Sequence, residues 1–186
     1  MKKNILPAIR LTIICAIVFV AGYSALVFGA AKLAPGKGNG QTITVNGHKY
    51  YTNIGQKFTE DKYFNSRPSA VDYNAAGSAG SNKGPTNPEY LATVKVRVET
   101  FLVHNPSVKI TEIPSDIVTA SGSGLDPDIS IQGATIQVAR ISKVRNLPEE
   151  KVMNLIHENI EKPFLGLFGT EKINVLKLNI ALDNLK

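Results

Sequence analysis

A chain of 186 residues has room for one domain with a real core, but not comfortably for two. Its formal charge of +6 comes from 21 basic and 15 acidic residues, interspersed through the polar part of the chain, so no basic stripe of the kind that grips nucleic acid is encoded. The only cysteine, Cys15, lies inside an apolar run, which excludes a disulfide framework and leaves core burial to hold the domain together.

From Leu11 to Ala31 there are 21 residues without a charge. A helix of that length rises ~30 Å, about the thickness of a bilayer core. Its basic start (Lys2, Lys3, Arg10) and the small pair Gly29 and Ala31 also suit a cleaved signal peptide. The run is longer than the ~7–15 residues of a signal core, which favours a retained anchor. The preceding positive charges place the N-terminus in the cytoplasm. Lys32 and Lys37 follow closely, but they belong to a long domain and count for less. The expected organisation is a short cytoplasmic tail (1–10), a transmembrane helix (11–31), a linker (32–41) and an extracytoplasmic α+β domain (42–186). Cys15, Gly22, Ala25 and Gly29 recur at spacings of seven, three and four, a small-residue stripe that would let a neighbouring helix approach.

Residues 34–40, rich in Gly, read as a flexible linker. Asn46-Gly47 between Thr42–Val45 and His48–Thr52 is a hairpin signal, because both turn residues need positive φ. From Phe64 to Pro88 the chain is rich in Ser, Asn, Gly and Pro, a length that marks a loop as functional or disordered. Its aromatics and arginine favour an ordered contact loop. Asn87-Pro88-Glu89 starts a helix with Leu91, Val94, Val98, Phe101 and Leu102 on its inner face, ended by Asn105-Pro106. A glycine loop leaves at Asp126-Pro127-Asp128. Ser130 then caps a second helix whose buried face is Ala134, Val138, Ile141 and Val144, with Arg140 and Lys143 pointing elsewhere. A third helix starts near Pro148-Glu149-Glu150, turns Val152, Leu155, Ile156 and Ile160 inward, and ends at Lys162-Pro163. Residues 174–183 fit a strand through Leu176, Leu178, Ile180 and Leu182, and equally a helix through Val175, Leu178, Leu182 and Leu185. The fold class is α+β: one N-terminal transmembrane helix followed by one mixed helix/strand domain with little sign of a large sheet.

Catalytic chemistry is thin. His48, His104 and His157 lack metal-ligand spacing. Neither a nucleophile elbow nor a phosphate-cradling loop is present in the sequence. Lys83, beside a glycine run, reads as a loop lysine, and Asp126 and Asp128 read as turn residues that bond their own backbone. Gln137 reads as a surface or interface glutamine. No catalytic residue and no metal site is assigned.

Four blocks stand in order behind the apolar helix: Tyr63-Phe-Asn-Ser-Arg-Pro-Ser-Ala, Gly80-Ser-Asn-Lys-Gly-Pro-Thr-Asn-Pro, Val118-Thr-Ala-Ser-Gly-Ser-Gly-Leu-Asp-Pro with Ile129-Ser, and Asn174-Val-Leu-Lys-Leu-Asn-Ile-Ala-Leu-Asp. In these the chain resembles the KdpC family, the C subunits of Kdp potassium-transporting P-type ATPase complexes. Departures occur at Asp128, where the family usually has His, at Ala139, where it has Pro, and at Ile131-Gln132, where Pro is expected. The resemblance implies a noncatalytic subunit of an ATP-driven potassium importer. Its implied partners are a channel-like potassium-binding subunit, a P-type ATPase subunit and a small single-helix subunit. It also implies a catalytic chaperone that raises the ATP affinity of the ATPase subunit, with Gln137 matching the glutamine tied to ATP. Cys15, Gly22, Ala25 and Gly29 in the helix, and Arg67, Asn82, Ser121, Gly122, Ser123, Gly124 and Asp126 in the domain, are the expected partner contacts. No cofactor is expected to be held firmly by this chain, and ATP enters only through the ATPase subunit. An external domain cannot touch nucleotide in the cytoplasm, so the expected influence is linkage between subunits rather than contact. The competing readings are an anchored extracytoplasmic enzyme and an anchored ligand-binding module.

Overall fold

The computed structural model describes residues 2–185 and divides the chain into two units, one ending at Tyr51 and one starting at Thr52. The first unit contains a 27-residue apolar helix, Ile5–Ala31, long enough to cross a membrane. It rises ~40 Å, because it begins six residues before the charge-free run and takes in Pro7 and Arg10. Its α-helical parts, α1 (Ile5–Cys15) and α2 (Tyr23–Ala31), are joined by a π-helical stretch, Ala16–Gly22. The spacing from Cys15 to Gly22 crosses that stretch, where i→i+5 bonding loosens the register on which a shared face depends. From its last residue onward, Gly22, Ala25 and Gly29 stand at spacings of three and four.

After turns at 32–40, β1 (Thr42–Val45) and β2 (His48–Tyr51) form the expected hairpin. Val45 pairs with His48 and Thr42 with Tyr51. The turn residues Asn46 (φ 50°) and Gly47 (φ 80°) are both left-handed, as a two-residue hairpin of this type requires.

The second unit is helical around a small sheet. Asn87 caps α3 (Pro88–His104) by accepting from Tyr90 N–H at 3.0 Å, with Pro88 at the first turn. Only the C-terminal end of α3 packs inward. Phe101 is buried, whereas Leu91, expected inside, is half exposed. The short α4 (Ser115–Val118) follows, then β3 (Asp128–Ile129). The helix expected from Ser130 is two helices, α5 (Ile131–Thr135) and α6 (Val138–Arg145), broken at Ile136-Gln137. Ser130 caps α5 as expected, accepting from Gly133 N–H at 2.9 Å. On α6, Val138 and Ile141 are buried as expected, but Val144 is exposed and Arg140 is inside. Asn146 ends α6 in the left-handed conformation.

The next helix, α7 (Glu149–Glu158), buries Val152, Leu155 and Ile156. It stops before Ile160, which lies in β4 (Ile160–Glu161). The ambiguous C-terminal segment is a helix, α8 (Val175–Asp183), directly after β5 (Lys172–Asn174). Asn174 decides this by accepting from Lys177 N–H at 3.1 Å, an N-cap that stops the strand. Strand β5 is central, with β3 and β4 antiparallel on either side. The core gathers Phe64, Ile117, Ile129, Val138, Ile141, Val152, Ile156, Ile173, Leu178 and Leu182. A mixed helix/strand domain behind one apolar helix is therefore the architecture.

Candidate functional site

Residues 56–73 have almost no regular structure of their own, yet they carry Phe64, which is 0% exposed. Such a strap needs its backbone polar groups satisfied from outside. Asn179 on α8 does this for Phe64, accepting from its N–H and donating to its C=O, both at 2.9 Å. Arg145 on α6 donates to Lys62 O at 2.7 Å and to Asp183 at 2.6 Å, with its guanidinium 5.0 Å from the Tyr63 ring.

The deepest fastening is Arg140. All five of its N–H donors are used. Nε donates to Asn105 Oδ1 (3.0 Å), Nη1 to the carbonyls of Asp61 and Tyr63, and Nη2 to Asn65 Oδ1 (3.1 Å) and Gln137 Oε1 (2.7 Å). Burial pushes the guanidinium pKa down, and Asp61, whose carboxylate is 3.8 Å away, works against that shift. The expectation that Arg140 points away from the core is thus corrected. The break at Gln137 turns α6 so that this arginine meets a nest of carbonyls that offsets its desolvation.

Gln137 is also not a surface residue: it is 0% exposed. Its Oε1 accepts from Asn65 N–H (2.8 Å) as well as from Arg140, and its Nε2 donates to Gly133 O (2.9 Å) and, at 3.5 Å, to Asn65 O. Both amide atoms are committed to the fold.

The other expected contact residues of this unit fall on a separate surface, where the strap meets the glycine loop. Arg67 pairs with Asp126 at 2.7 Å, both partly buried. Ser69 donates to Gly124 O at 2.6 Å and accepts from Val71 and Tyr73 N–H. Tyr73 donates to Arg67 O at 2.5 Å, and burial chiefly, with Asp72 adding, pushes its pKa up to about 12. Within the loop, Ser121 Oγ accepts from Gly124 N–H and Ser123 Oγ from Leu125 N–H, while Ser78 donates to Ser123 O. Gly124 has φ +66°, and a Cβ there would stand 2.8 Å from both Ala79 O and Val71 Cγ2. Gly80 lies against Gly122, where a Cβ would meet the carbonyl at 3.1 Å. Three of the four sequence blocks thus converge in one place. Asn82 is exposed with φ 53°.

Asp126 Oδ1 accepts from Asp128 N–H, the turn chemistry expected of it. Asp128 itself pairs with Lys172, a contact that raises the lysine's pKa against partial burial. With Asp116, which accepts from Ser130, these acids border a cleft of about 340 Å³. Asp126 is paired with Arg67 and Asp128 with Lys172, Asp116 takes its two hydrogen bonds from Ser130, and exposed Glu171 also lines the cleft. Among the described residues no cluster of three His, Cys, Asp or Glu could hold a metal. His48 and His157 are exposed, and His104 pairs with Asp61 at 2.8 Å.

Sequence reasoning missed Asn65, Asn105, Asn179 and Arg140. For Asn179 a signal existed: a polar residue inside the apolar stripe of Val175, Leu178 and Leu182 has to find internal partners.

A family model described as "K+-transporting ATPase, c chain" matches residues 5–184. The potassium-transporting ATPase KdpC subunit of Flavobacterium psychrophilum is 54% identical over 185 residues, covering 99% of this chain and 100% of that protein. That of Bacteroides fragilis is 48% identical, covering 99% and 98%. That of Caldanaerobacter subterraneus subsp. tengcongensis is 46% identical, covering 98% and 95%.

Proposed function

The chain belongs to the KdpC family, the c chains of K+-transporting ATPases, and on that premise we propose how it serves such a complex. It is a noncatalytic subunit, held by the helix Ile5–Ala31, whose domain lies outside the cytoplasm and stabilises the assembly. Its partners are a channel-like potassium-binding subunit, a P-type ATPase subunit that hydrolyses ATP, and a small single-helix subunit. It raises the ATP affinity of the hydrolysing subunit by linkage: its contacts favour the conformation that binds nucleotide well.

One observation carries the indirect reading. Gln137, the residue tied to ATP by resemblance, is buried and spends both amide atoms on Asn65, Arg140 and Gly133. A nucleotide could reach it only by displacing the strap. Gln137 therefore acts by holding residues 56–73 in shape, and the strap and glycine loop present the contact surface.

Purification in mild detergent tests this. The chain should emerge with its partners, and the complex assembled without it should need more ATP for half-maximal hydrolysis. A chain that purifies alone, with the ATP response of the remaining subunits unchanged, would contradict the proposal.

A further inference from the structure

Between β4 and β5 the chain makes an apolar tip. From Pro163 to Thr170 there is no charged residue. Phe164, Leu165, Leu167 and Phe168 are 71%, 74%, 80% and 64% exposed. Four large side chains splayed outward within five positions are not the scattered surface apolars of an ordinary domain.

The backbone of this tip is closed on itself. Phe164 and Phe168 form an antiparallel bridge, with N–H to C=O bonds of 2.9 and 3.0 Å in the two directions. Gly166 N–H bonds Pro163 O and Leu167 N–H bonds Phe164 O. Leu165 (φ 55°) and Gly166 (φ +72°) together make the left-handed turn, and the two phenyl rings stand 6.5 Å apart. Four of the five N–H groups from Phe164 to Phe168 bond within the tip, which lowers the cost of carrying its backbone out of water. The tip is apolar on all sides rather than on one face, which suits a fluid apolar medium better than a pocket. Lys162, exposed just behind it, is placed to stay in the headgroup layer.

Twenty residues, 32–51, with the hairpin among them, separate the helix Ile5–Ala31 from the second unit, so anchoring the helix tethers that unit to the bilayer by a short piece of chain.

We propose that the Phe164–Phe168 tip inserts into the outer surface of the lipid bilayer that holds the helix Ile5–Ala31, giving the domain a second membrane contact. This rests on the helix being membrane-anchored, and its test does not involve transport or ATP. The chain contains no tryptophan, so a single introduced one reports alone. Leu167→Trp in the full chain, reconstituted into phosphatidylcholine vesicles, should emit at shorter wavelength than Asn154→Trp on the exposed side of α7. It should lose most of its emission when the acyl chains are brominated, and resist iodide present on both sides. Adding Phe164→Ser and Leu165→Ser, which removes roughly tenfold or more in partitioning for each fully buried side chain, should return it to long wavelength. If the indole introduced by Leu167→Trp is quenched by iodide like the α7 control and untouched by brominated lipid, the proposal is overturned. It is equally overturned if shielding arises only in the whole complex and without quenching by lipid, which assigns the tip to a partner subunit.

Discussion

Replacing Gln137 with alanine separates a structural glutamine from a nucleotide-binding one. The substitution removes the acceptor of Asn65 N–H (2.8 Å) and one acceptor of Arg140 Nη2 (2.7 Å), and it deprives Gly133 O of a donor at 2.9 Å. Each buried donor left unmet costs about 1–3 kcal/mol, more when charged. The truncated side chain also leaves a cavity at a site that is 0% exposed. Partial relaxation and water entry offset some of this, so the expected loss is about 3–5 kcal/mol, against the ~5–15 kcal/mol that stabilises a typical domain. Urea unfolding of the full chain in mild detergent, followed by circular dichroism, should show a much lower midpoint. Gln137→Met refills the volume without the hydrogen bonds and should recover only the cavity share. In the complex, any weakening of ATP use by Gln137→Ala should scale with loss of folded subunit, and a fluorescent ATP analogue should not bind the wild-type chain saturably. A Gln137→Ala chain with an unchanged midpoint that nevertheless raises the ATP requirement of the complex would refute this reasoning.

Three further outcomes are expected. Gly124→Ala forces a Cβ to within 2.8 Å of Ala79 O at φ +66°, and should destabilise by roughly 1–3 kcal/mol in the same unfolding measurement. Tyr73, with a pKa raised to about 12, favours its neutral form in the folded state. Its contribution is therefore complete below the ordinary tyrosine value of about 10 and is lost as pH rises from there towards 12, by at most roughly 2–3 kcal/mol. Tyr73→Phe should flatten that alkaline decline, seen as a smaller difference between unfolding at pH 9 and pH 11.5. In the helix, a Cβ at Gly29 meets nothing within 4 Å and one at Gly22 meets only Ile17 O at 3.6 Å. Gly22→Leu with Gly29→Leu should therefore leave insertion intact and weaken co-purification of partner subunits; unchanged recovery would remove the small stripe from the docking surface.

Local chemistry made much of this fold readable. The Asn46-Gly47 turn, the Asn87-Pro88 and Ser130 caps and the apolar face of α7 depend on neighbours a few residues away, and they stand where the sequence puts them. The Asn174 cap shows the limit: its geometry decides between strand and helix, but only after the strand pairing of Ile173 is known. The polar interior was hidden for a different reason. Arg140 reads as a surface residue until five acceptors are gathered around it, four of them from Asp61, Tyr63, Asn65 and Asn105, at least 35 residues away in the chain. Likewise the contact blocks around Arg67 and Gly124 were visible as motifs, while their meeting through Ser69 and Asp126 was not.

The side of the membrane on which the domain stands decides between linkage and contact with nucleotide. Protease added to intact cells, with the chain followed by an antibody to its C-terminus, measures this. Cleavage of the domain before permeabilisation is the predicted result. A domain protected until the membrane is breached would place it with the nucleotide and contradict the account.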